Sequence, residues 1–249
     1  MARLITVGSS SIGNAYAIDA GGEILLLEAG MKMADVKRAI DYRLADVVGC
    51  IVTHEHGDHA KYATEYAKFG VDIYATQELE QKKQFPYGKF VALRDSVTKS
   101  IGSFKVVPFN NFHDVPIFGY LIYHPDMGTM LFSTDSYKIG MTITGINHYL
   151  IEANYEDSIL KENVRSGRVD KAQADRIMLS HMSLNYCIKY LRDCGVGGGT
   201  ASTKTITLCH LSERNSSTDH FRDTVAGAFG IPTYIAHKGL VVELNKEIL

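Results

Sequence analysis

Three histidines and one aspartate lie within six residues, directly after the apolar run Ile51-Val52-Thr53; they are His54, His56, Asp58 and His59. Neutral imidazole binds zinc and related transition metals, and a carboxylate adds negative charge that neutralises the cations. Gly57 allows the chain to turn inside this motif. The spacing directs His54 and His56 to one ion and the two residues beyond the turn to a second. The alternative, a solvated polar loop, does not account for this density of ligand-type side chains.

Length and composition restrict the class of protein. The chain has 249 residues, of which 45% are hydrophobic, and a net charge of −2. This length can bury a substantial core, and we predict one domain over residues 1–249. The charge provides no global attraction to nucleic acid, although a local basic patch stays open. No signal-peptide pattern and no apolar stretch of membrane-spanning length occurs, so we expect a cytoplasmic protein with no membrane partner. The oligomeric state is unknown from the sequence.

The apolar pattern predicts the elements that position the motif. Strands are predicted over 4–7, 16–20 and 24–28, and a helix over 33–44. The segment 47–53 is a nearly continuous apolar strand, typical of a sheet that is covered on both faces, and it leads directly into the histidines. Ligand sites favour the carboxyl ends of such strands.

The second half of the chain repeats this arrangement of a strand followed by a polar side chain. Predicted strands over 130–136 and 149–154 carry Asp135 and Glu152 at their ends, a strand that begins at 206 leads into His210, and His113 follows a strand meander over 90–108. Helices are predicted over 61–69, 170–179, 187–191 and 218–229, strands over 71–75, 234–236 and 240–244, and a flexible connector over 195–199. The segment 77–89 is predicted to be a polar loop whose three lysines, at 82, 83 and 89, are solvated or, less favoured, face a phosphate.

These motifs together resemble the metallo-β-lactamase fold hydrolases, whose signature is His-x-His-x-Asp-His. The stretches Glu-Ala-Asn at 152–154, Ser-His-Met-Ser at 180–183 and Cys-His-Leu-Ser-Glu-Arg-Asn at 209–215 are similar to the YycJ/WalJ-type single-domain, exonuclease-like proteins, and more distantly to ribonuclease Z. The resemblance covers almost the whole chain from Gly8. Ser180, Leu184 and Ser216 depart from the pattern of that subgroup and bear on the substrate. Glu28 stands where the family has aspartate; it either braces the metal turn or caps a helix.

The resemblance implies an α/β fold, a four-layer αββα sandwich of two mixed sheets flanked by helices. It also implies two divalent metal ions, with zinc expected and manganese or iron as alternatives. The first ion is assigned to His54, His56 and His113, the second to Asp58, His59 and His210, and Asp135 is shared. Asp58, Glu152 and His181 are the predicted catalytic residues, with His181 as a general acid that Glu152 orients. The alternative for His181 is a place in a helix N-terminal cap without a catalytic role.

The expected function is that of a phosphodiesterase or nuclease acting on nucleic-acid ends or on a small (cyclic) phosphodiester, through a hydroxide that bridges the two ions. The expected partner is a phosphodiester substrate such as single-stranded DNA, RNA or a nucleotide. Hydrolysis of a small ester, thioester or lactam on the same metal site is the alternative. An inactive metal-binding scaffold is a third hypothesis, but it predicts a broken ligand set, whereas all seven positions carry residues that can bind a metal.

Overall fold

Two mixed β-sheets face each other in the computed structural model, which describes residues 2–198 and 202–245. The first sheet has seven strands in the order β15-β1-β2-β3-β4-β5-β6. They are β1 (Arg3–Gly8), β2 (Ala15–Ala20), β3 (Glu23–Leu27), β4 (Val47–Ile51), β5 (Ile73–Ala75), β6 (Phe90–Ala92) and β15 (Val241–Glu243). Strands β1 to β3 form an antiparallel meander, and β3 to β6 run parallel.

The second sheet repeats this plan with eight strands, in the order β11-β8-β9-β10-β12-β13-β14, and β7 pairs with β8. They are β7 (Lys99–Ile101), β8 (Phe104–Phe112), β9 (Phe118–His124), β10 (Gly128–Ser133), β11 (Lys138–Ile139), β12 (His148–Glu152), β13 (Thr205–Cys209) and β14 (Thr233–Ile235). An antiparallel meander of β8 to β10 again leads into parallel strands, here β10, β12, β13 and β14. Both sheets are therefore mixed, as predicted.

The described residues form eight α-helices. They are α1 (Met33–Ala39), α2 (Gly57–Ala60), α3 (Ala63–Lys68), α4 (Gln77–Lys82), α5 (Asp157–Arg165), α6 (Lys171–Ser180), α7 (Leu184–Asp193) and α8 (Thr218–Phe229). Two have side-chain caps, because Asp170 accepts a hydrogen bond from the Gln173 N–H and Ser183 accepts one from the Tyr186 N–H. Among the described residues, no helix is both long and apolar enough to cross a membrane.

Three apolar layers hold the four layers of secondary structure together. The central layer lies between the sheets and contains Leu4, Ile18, Phe104, Tyr120 and Phe132, among other side chains. A second layer packs the first sheet against α1 and α3, and a third packs the second sheet against α7 and α8. Each sheet is thus apolar on both faces, which explains the continuous apolar strands in the sequence. The predicted α/β sandwich is confirmed.

Several predicted boundaries were wrong for local reasons. The segment 77–89 is not entirely a loop, because α4 forms there around the buried side chain of Leu79. The helix predicted over 33–44 ends at Ala39, since Asp41 and Tyr42 adopt φ angles of 52° and 59°, which an α-helix cannot contain. Helix α5 was not predicted. Gly199, the end of the predicted connector over 195–199, lies outside the described residues.

Candidate metal centre

The predicted site residues meet at one edge of the sandwich, beyond the carboxyl ends of β4, β10, β12 and β13. Hydrogen bonds join the two sheets directly beneath the histidine motif. The Tyr120 hydroxyl donates to the Val52 carbonyl at 2.7 Å, and the Phe118 N–H donates to the Thr53 carbonyl at 3.1 Å. The strand that carries the motif is therefore fixed relative to the opposite sheet.

Seven side chains form two adjacent clusters that share Asp135. In each cluster, one nitrogen or oxygen atom per residue lies within 4.8 Å of the corresponding atoms of the others. The first cluster is His54, His56, His113 and Asp135, and the second is Asp58, His59, Asp135 and His210. The structure thus brings together all seven residues that the sequence assigned to metal ions, in the division that was predicted. A third group at the same place adds Glu152 and His181 to Asp135 and His210.

The motif itself folds into the one-turn helix α2, which carries Asp58 and His59. A close backbone contact holds it in place, since the Asn14 N–H donates to the Asp58 carbonyl at 2.7 Å. Gly30 lies against the same carbonyl, and a Cβ atom at this position would be 1.8 Å from that oxygen. Only glycine fits there. The sequence motif Glu-Ala-Gly therefore serves the packing of the second ligand cluster.

Three residues of the site, Glu28, Asp135 and His210, have left-handed backbone conformations. The φ angles are 66° for Glu28, 47° for Asp135 and 54° for His210, and each residue lies one or two positions after a strand. Such angles cost free energy in residues other than glycine and persist where the surrounding structure imposes them. At His210, the backbone N–H donates to the Ser9 hydroxyl at 3.0 Å and the carbonyl accepts from Asn154 at 2.7 Å. The surrounding structure thus holds strained backbone conformations at two residues of the clusters and at Glu28 beneath them.

Glu28 braces the histidines from below. One carboxylate oxygen accepts a hydrogen bond from the Thr53 hydroxyl at 2.6 Å and lies 3.3 Å from His59 Nδ1, and the other accepts from the Thr53 N–H at 3.2 Å. The Thr53 hydroxyl in turn lies 2.9 Å from His54 Nδ1. Of the two roles left open by the sequence, these contacts favour bracing over a helix cap. Sequence reasoning missed Thr53, whose partner Glu28 becomes apparent only when β3 and β4 are paired, and Asn14, whose side-chain amide lies 3.1 Å from His59 Nε2.

In two histidines of the first cluster, one ring nitrogen is held by a neighbouring group and the other faces the cluster. His54 Nδ1 is engaged by Thr53, whereas its Nε2 atom is buried without a hydrogen-bond partner and lies 3.9 Å from an Asp135 oxygen. His113 Nδ1 lies 3.0 Å from the Ser180 carbonyl oxygen, which leaves Nε2 to face His56. Histidines that bind metals commonly use one ring nitrogen and donate a hydrogen bond from the other. Imidazole and carboxylate together suit divalent transition metals.

Negative charge accumulates in the second cluster. Burial alone would raise the pKa of Asp135, but His210 and His59 hold that pKa well below its usual range. The pKa of Asp58 is also lowered, because hydrogen bonds from His210 and His59 outweigh burial. Burial would lower the pKa of His59 and of His210. Asp135 nevertheless raises the pKa of His59, and it contributes to raising the pKa of His210 to about 10. Two acidic side chains thus lie among these rings, and divalent cations would balance their negative charge.

Glu152 and His181 form a separate pair beside the clusters. His181 Nδ1 lies 2.8 Å from a Glu152 oxygen, and the buried carboxylate also accepts the Ser136 and Met182 N–H groups at 3.1 Å each. Burial would lower the pKa of His181, but Glu152 outweighs it and raises that pKa. Ser183, not His181, caps the N-terminus of α7. His181 lies two positions before this cap, and its catalytic role stays a prediction.

Two adjoining cavities open onto the clusters, with volumes of about 370 and 430 Å³. They share the side chains of Ser11, Gln173, Ile177, His181 and His210. Two of these residues belong to α6, which forms a wall of the cleft. The sequence placed a helix here, but no signal in the sequence indicated that it faces the metal clusters.

The family follows from a comparison with known proteins. The model of a family described as the metallo-beta-lactamase superfamily matches residues 10–148, which is more than half of the chain. The chain belongs to this superfamily. The match confirms the resemblance inferred from the sequence and the assignment as a metal-dependent hydrolase.

Similar proteins agree with this family. Exodeoxyribonuclease WalJ of Streptococcus pneumoniae is 28% identical over 230 residues, which cover 84% of this chain and 81% of WalJ. The crystal structure of the metallo-beta-lactamase fold protein YhfI from Bacillus subtilis has a TM-score of 0.76 at 17% identity and covers 98% of this chain and 100% of that one. Human tRNase Z, short form, has a TM-score of 0.63 at 13% identity, with 97% and 99% covered. The predicted similarity to the WalJ type and, more distantly, to ribonuclease Z is confirmed.

Proposed function

We propose that this protein is a two-metal phosphodiesterase or nuclease that acts on nucleic-acid ends or on a small (cyclic) phosphodiester. The observation that carries the proposal is the position of Asp135, which two complete ligand clusters share beside the Glu152–His181 pair. Two-metal sites of this kind are common in enzymes that displace an oxygen at phosphorus. The name of the relative WalJ, an exodeoxyribonuclease, supports the same class of substrate.

The proposed ligands are those of the two clusters. His54, His56 and His113 would hold the first ion, Asp58, His59 and His210 the second, and Asp135 both. We propose zinc, with manganese or iron as alternatives, because imidazole-carboxylate sites accept all three. When bound, the two ions would promote attack by water and neutralise charge at the phosphate. The ligands come from both sheets, which share the central apolar layer, and this supports the proposal that residues 1–249 form one domain.

We propose that residues of the protein itself transfer a proton to the leaving oxygen. Glu152 binds His181 at Nδ1 and favours the charged ring, so His181 can donate the proton on Nε2 to the leaving oxygen. His181 lines both cavities of the cleft, where the leaving group of a bound phosphodiester would lie. We therefore propose His181 as the general acid, Glu152 as the residue that orients it, and Asp58 as a catalytic residue through its place in the second cluster.

Metal analysis combined with a substrate panel tests this function. The panel contains bis(p-nitrophenyl) phosphate, single-stranded DNA, RNA and nitrocefin. We expect two ions per chain, turnover of bis(p-nitrophenyl) phosphate and cleavage of at least one nucleic acid. Rapid turnover of nitrocefin with no phosphodiester cleavage would support the ester, thioester or lactam alternative. A metal-loaded protein that hydrolyses none of the four would support an inactive scaffold.

A further inference from the structure

Three adjoining depressions lie at and beside the two clusters of metal-binding side chains. At least one arginine lines each depression. The depression of about 370 Å³ above the ligands contains Arg176, and the neighbouring one of about 430 Å³ contains Arg214. A third, of about 480 Å³, contains Arg214 and Arg168. The first two share five side chains, and Arg214 lines both the second and the third. The three depressions together are called the track.

The arginines of the track are available to a ligand. In the part of the chain that the structure describes, ion pairs engage Arg3, Arg38, Arg43, Arg165, Arg176 and Arg222, whereas Arg168 and Arg214 form none, like Arg94 and Arg192 outside the track. Arg176 lies 4.0 Å from Asp114, and its side chain is 77% exposed. An ion pair this exposed contributes little free energy. A phosphate can therefore displace it.

Hydrogen bonds fix the backbone that carries Arg214. The buried side chain of Asn163 donates to the Arg214 carbonyl and to the Asn215 side-chain oxygen, both at 2.8 Å. The Asn215 carbonyl accepts the Glu156 N–H at 2.9 Å. The loop that follows the ligand His210 is thus tied to α5. The backbone at Arg214 is therefore held in place, and the Arg214 guanidinium is free to bind a ligand.

Aromatic rings other than the histidines are missing from the described side chains that line the track. The apolar lining consists of Ile159, Val169, Ile177 and Leu211. Proteins that bind the bases of a single strand use aromatic side chains as stacking platforms. The described lining offers none, which favours contacts between its polar and cationic groups and the sugar-phosphate backbone.

We propose that Arg176, Arg214 and Arg168 bind successive phosphates of a nucleic-acid strand whose scissile phosphodiester lies at the metal clusters. This inference rests on the proposed function and deepens it. The net charge of −2 and the acidic Asp114 and Glu213 in the lining exclude a broad attractive field, so the attraction acts at three positions. Binding through phosphates depends on salt and carries little base preference.

Single substitutions of the three arginines by alanine test the proposal with the metal-loaded, full-length enzyme. The readout is the ratio of kcat/KM for oligothymidylate dT20 to kcat/KM for bis(p-nitrophenyl) phosphate, which has no flanking phosphates. Loss of one charged hydrogen bond to phosphate should lower this ratio about tenfold for each variant. The slope of log kcat/KM for dT20 against log[KCl] should become shallower by about 0.7 for each arginine removed, and lysine at the same position should restore it.

Arg192→Ala is the matched control, because Arg192 is an exposed arginine in the last turn of α7 that does not line the track. We expect its ratio and slope to equal those of the unmodified enzyme. Wild-type ratios and slopes in the Arg176 and Arg214 variants would overturn the arginine track. Hydrolysis of bis(p-nitrophenyl) phosphate without cleavage of dT20 would also overturn it. A metal-loaded enzyme that hydrolyses neither substrate would instead refute the proposed function.

Discussion

His181→Ala should leave both clusters of metal-binding side chains intact and slow only those reactions in which the leaving group must be protonated. The His181 ring contacts Glu152 and stands outside the seven-residue ligand set. Loss of a general acid lowers the rate by about 10²- to 10⁴-fold. The His181 side chain is 21% exposed, so water can enter the vacated space and donate a proton weakly. We therefore expect a loss of about 10²- to 10³-fold, or about 3 to 4 kcal/mol in the activation barrier.

The assay compares two substrates of the same bond type. The dinucleotide dTpdT releases an alkoxide, which needs the proton, whereas bis(p-nitrophenyl) phosphate releases a stable phenolate, which does not. The dTpdT rate should show the full loss and the p-nitrophenyl rate a much smaller one. Glu152→Gln should give the same dependence in milder form, because the ring loses its orientation and its charge stabilisation. Metal content is measured in parallel, since Glu152 also lies 3.1 Å from His210 Nδ1.

His220→Ala is the control for general effects of histidine removal, since His220 is exposed on α8 and lies outside both cavities. We expect it to behave as the unmodified enzyme on both substrates. Loss of metal from His181→Ala, or an equal slowing of both substrates, would refute the acid assignment. His181 would then be a ligand or a substrate-binding residue.

Three further predictions concern the ligands and the core. Asp135→Ala should abolish activity and lower the content of both ions, because it removes the carboxylate that both clusters share; two tightly bound ions by metal analysis would contradict this. His210→Ala should lower mainly the second ion, and equal loss from both sites would show that the division of ligands is wrong. His148 is buried, and burial lowers its pKa to about 4. Because unfolded histidine has a pKa of about 6.5, the unfolded chain takes up this proton first, and the free energy of unfolding should fall by about 3 kcal/mol between pH 6.5 and 4. Urea unfolding at both pH values should show a weaker pH dependence for His148→Asn, and identical pH dependence in the two proteins would contradict this.

The four ligand-type residues of the motif could be recognised from the sequence by their density directly after an apolar strand. The ends of parallel strands meet at one edge of a sheet, which relates Asp135 to His210 in the second sheet, but their assignment to ions beside the motif came from the family resemblance. His113 required the family resemblance, since it follows the antiparallel strand β8. The strand and helix boundaries were less predictable where local backbone angles decide them, as at Asp41 and Tyr42.

The track of three depressions could not be predicted from the sequence, because tertiary packing brings its lining residues together. Arg176 and Arg214 are 38 positions apart and look like ordinary solvated charges in the sequence. They reach the same cleft only because α6 packs beside the loop after β13. The role of Glu28 depended in the same way on the pairing of β3 with β4, which places Thr53 against its carboxylate.

The two clusters also bear on how firmly the two sheets are held together. His54, His56, Asp58 and His59 follow a strand of the first sheet, whereas His113, Asp135 and His210 follow strands of the second. Each bound ion would therefore act as a cross-link between the two halves of the sandwich, with partners such as Asp58 and His210 that are 152 positions apart in the chain. Release of an ion would break its contacts with both halves at this edge. Slow metal exchange and resistance to proteolysis would then have the same origin, and removal of the ions should accelerate amide hydrogen exchange first at the ends of β4 and β13.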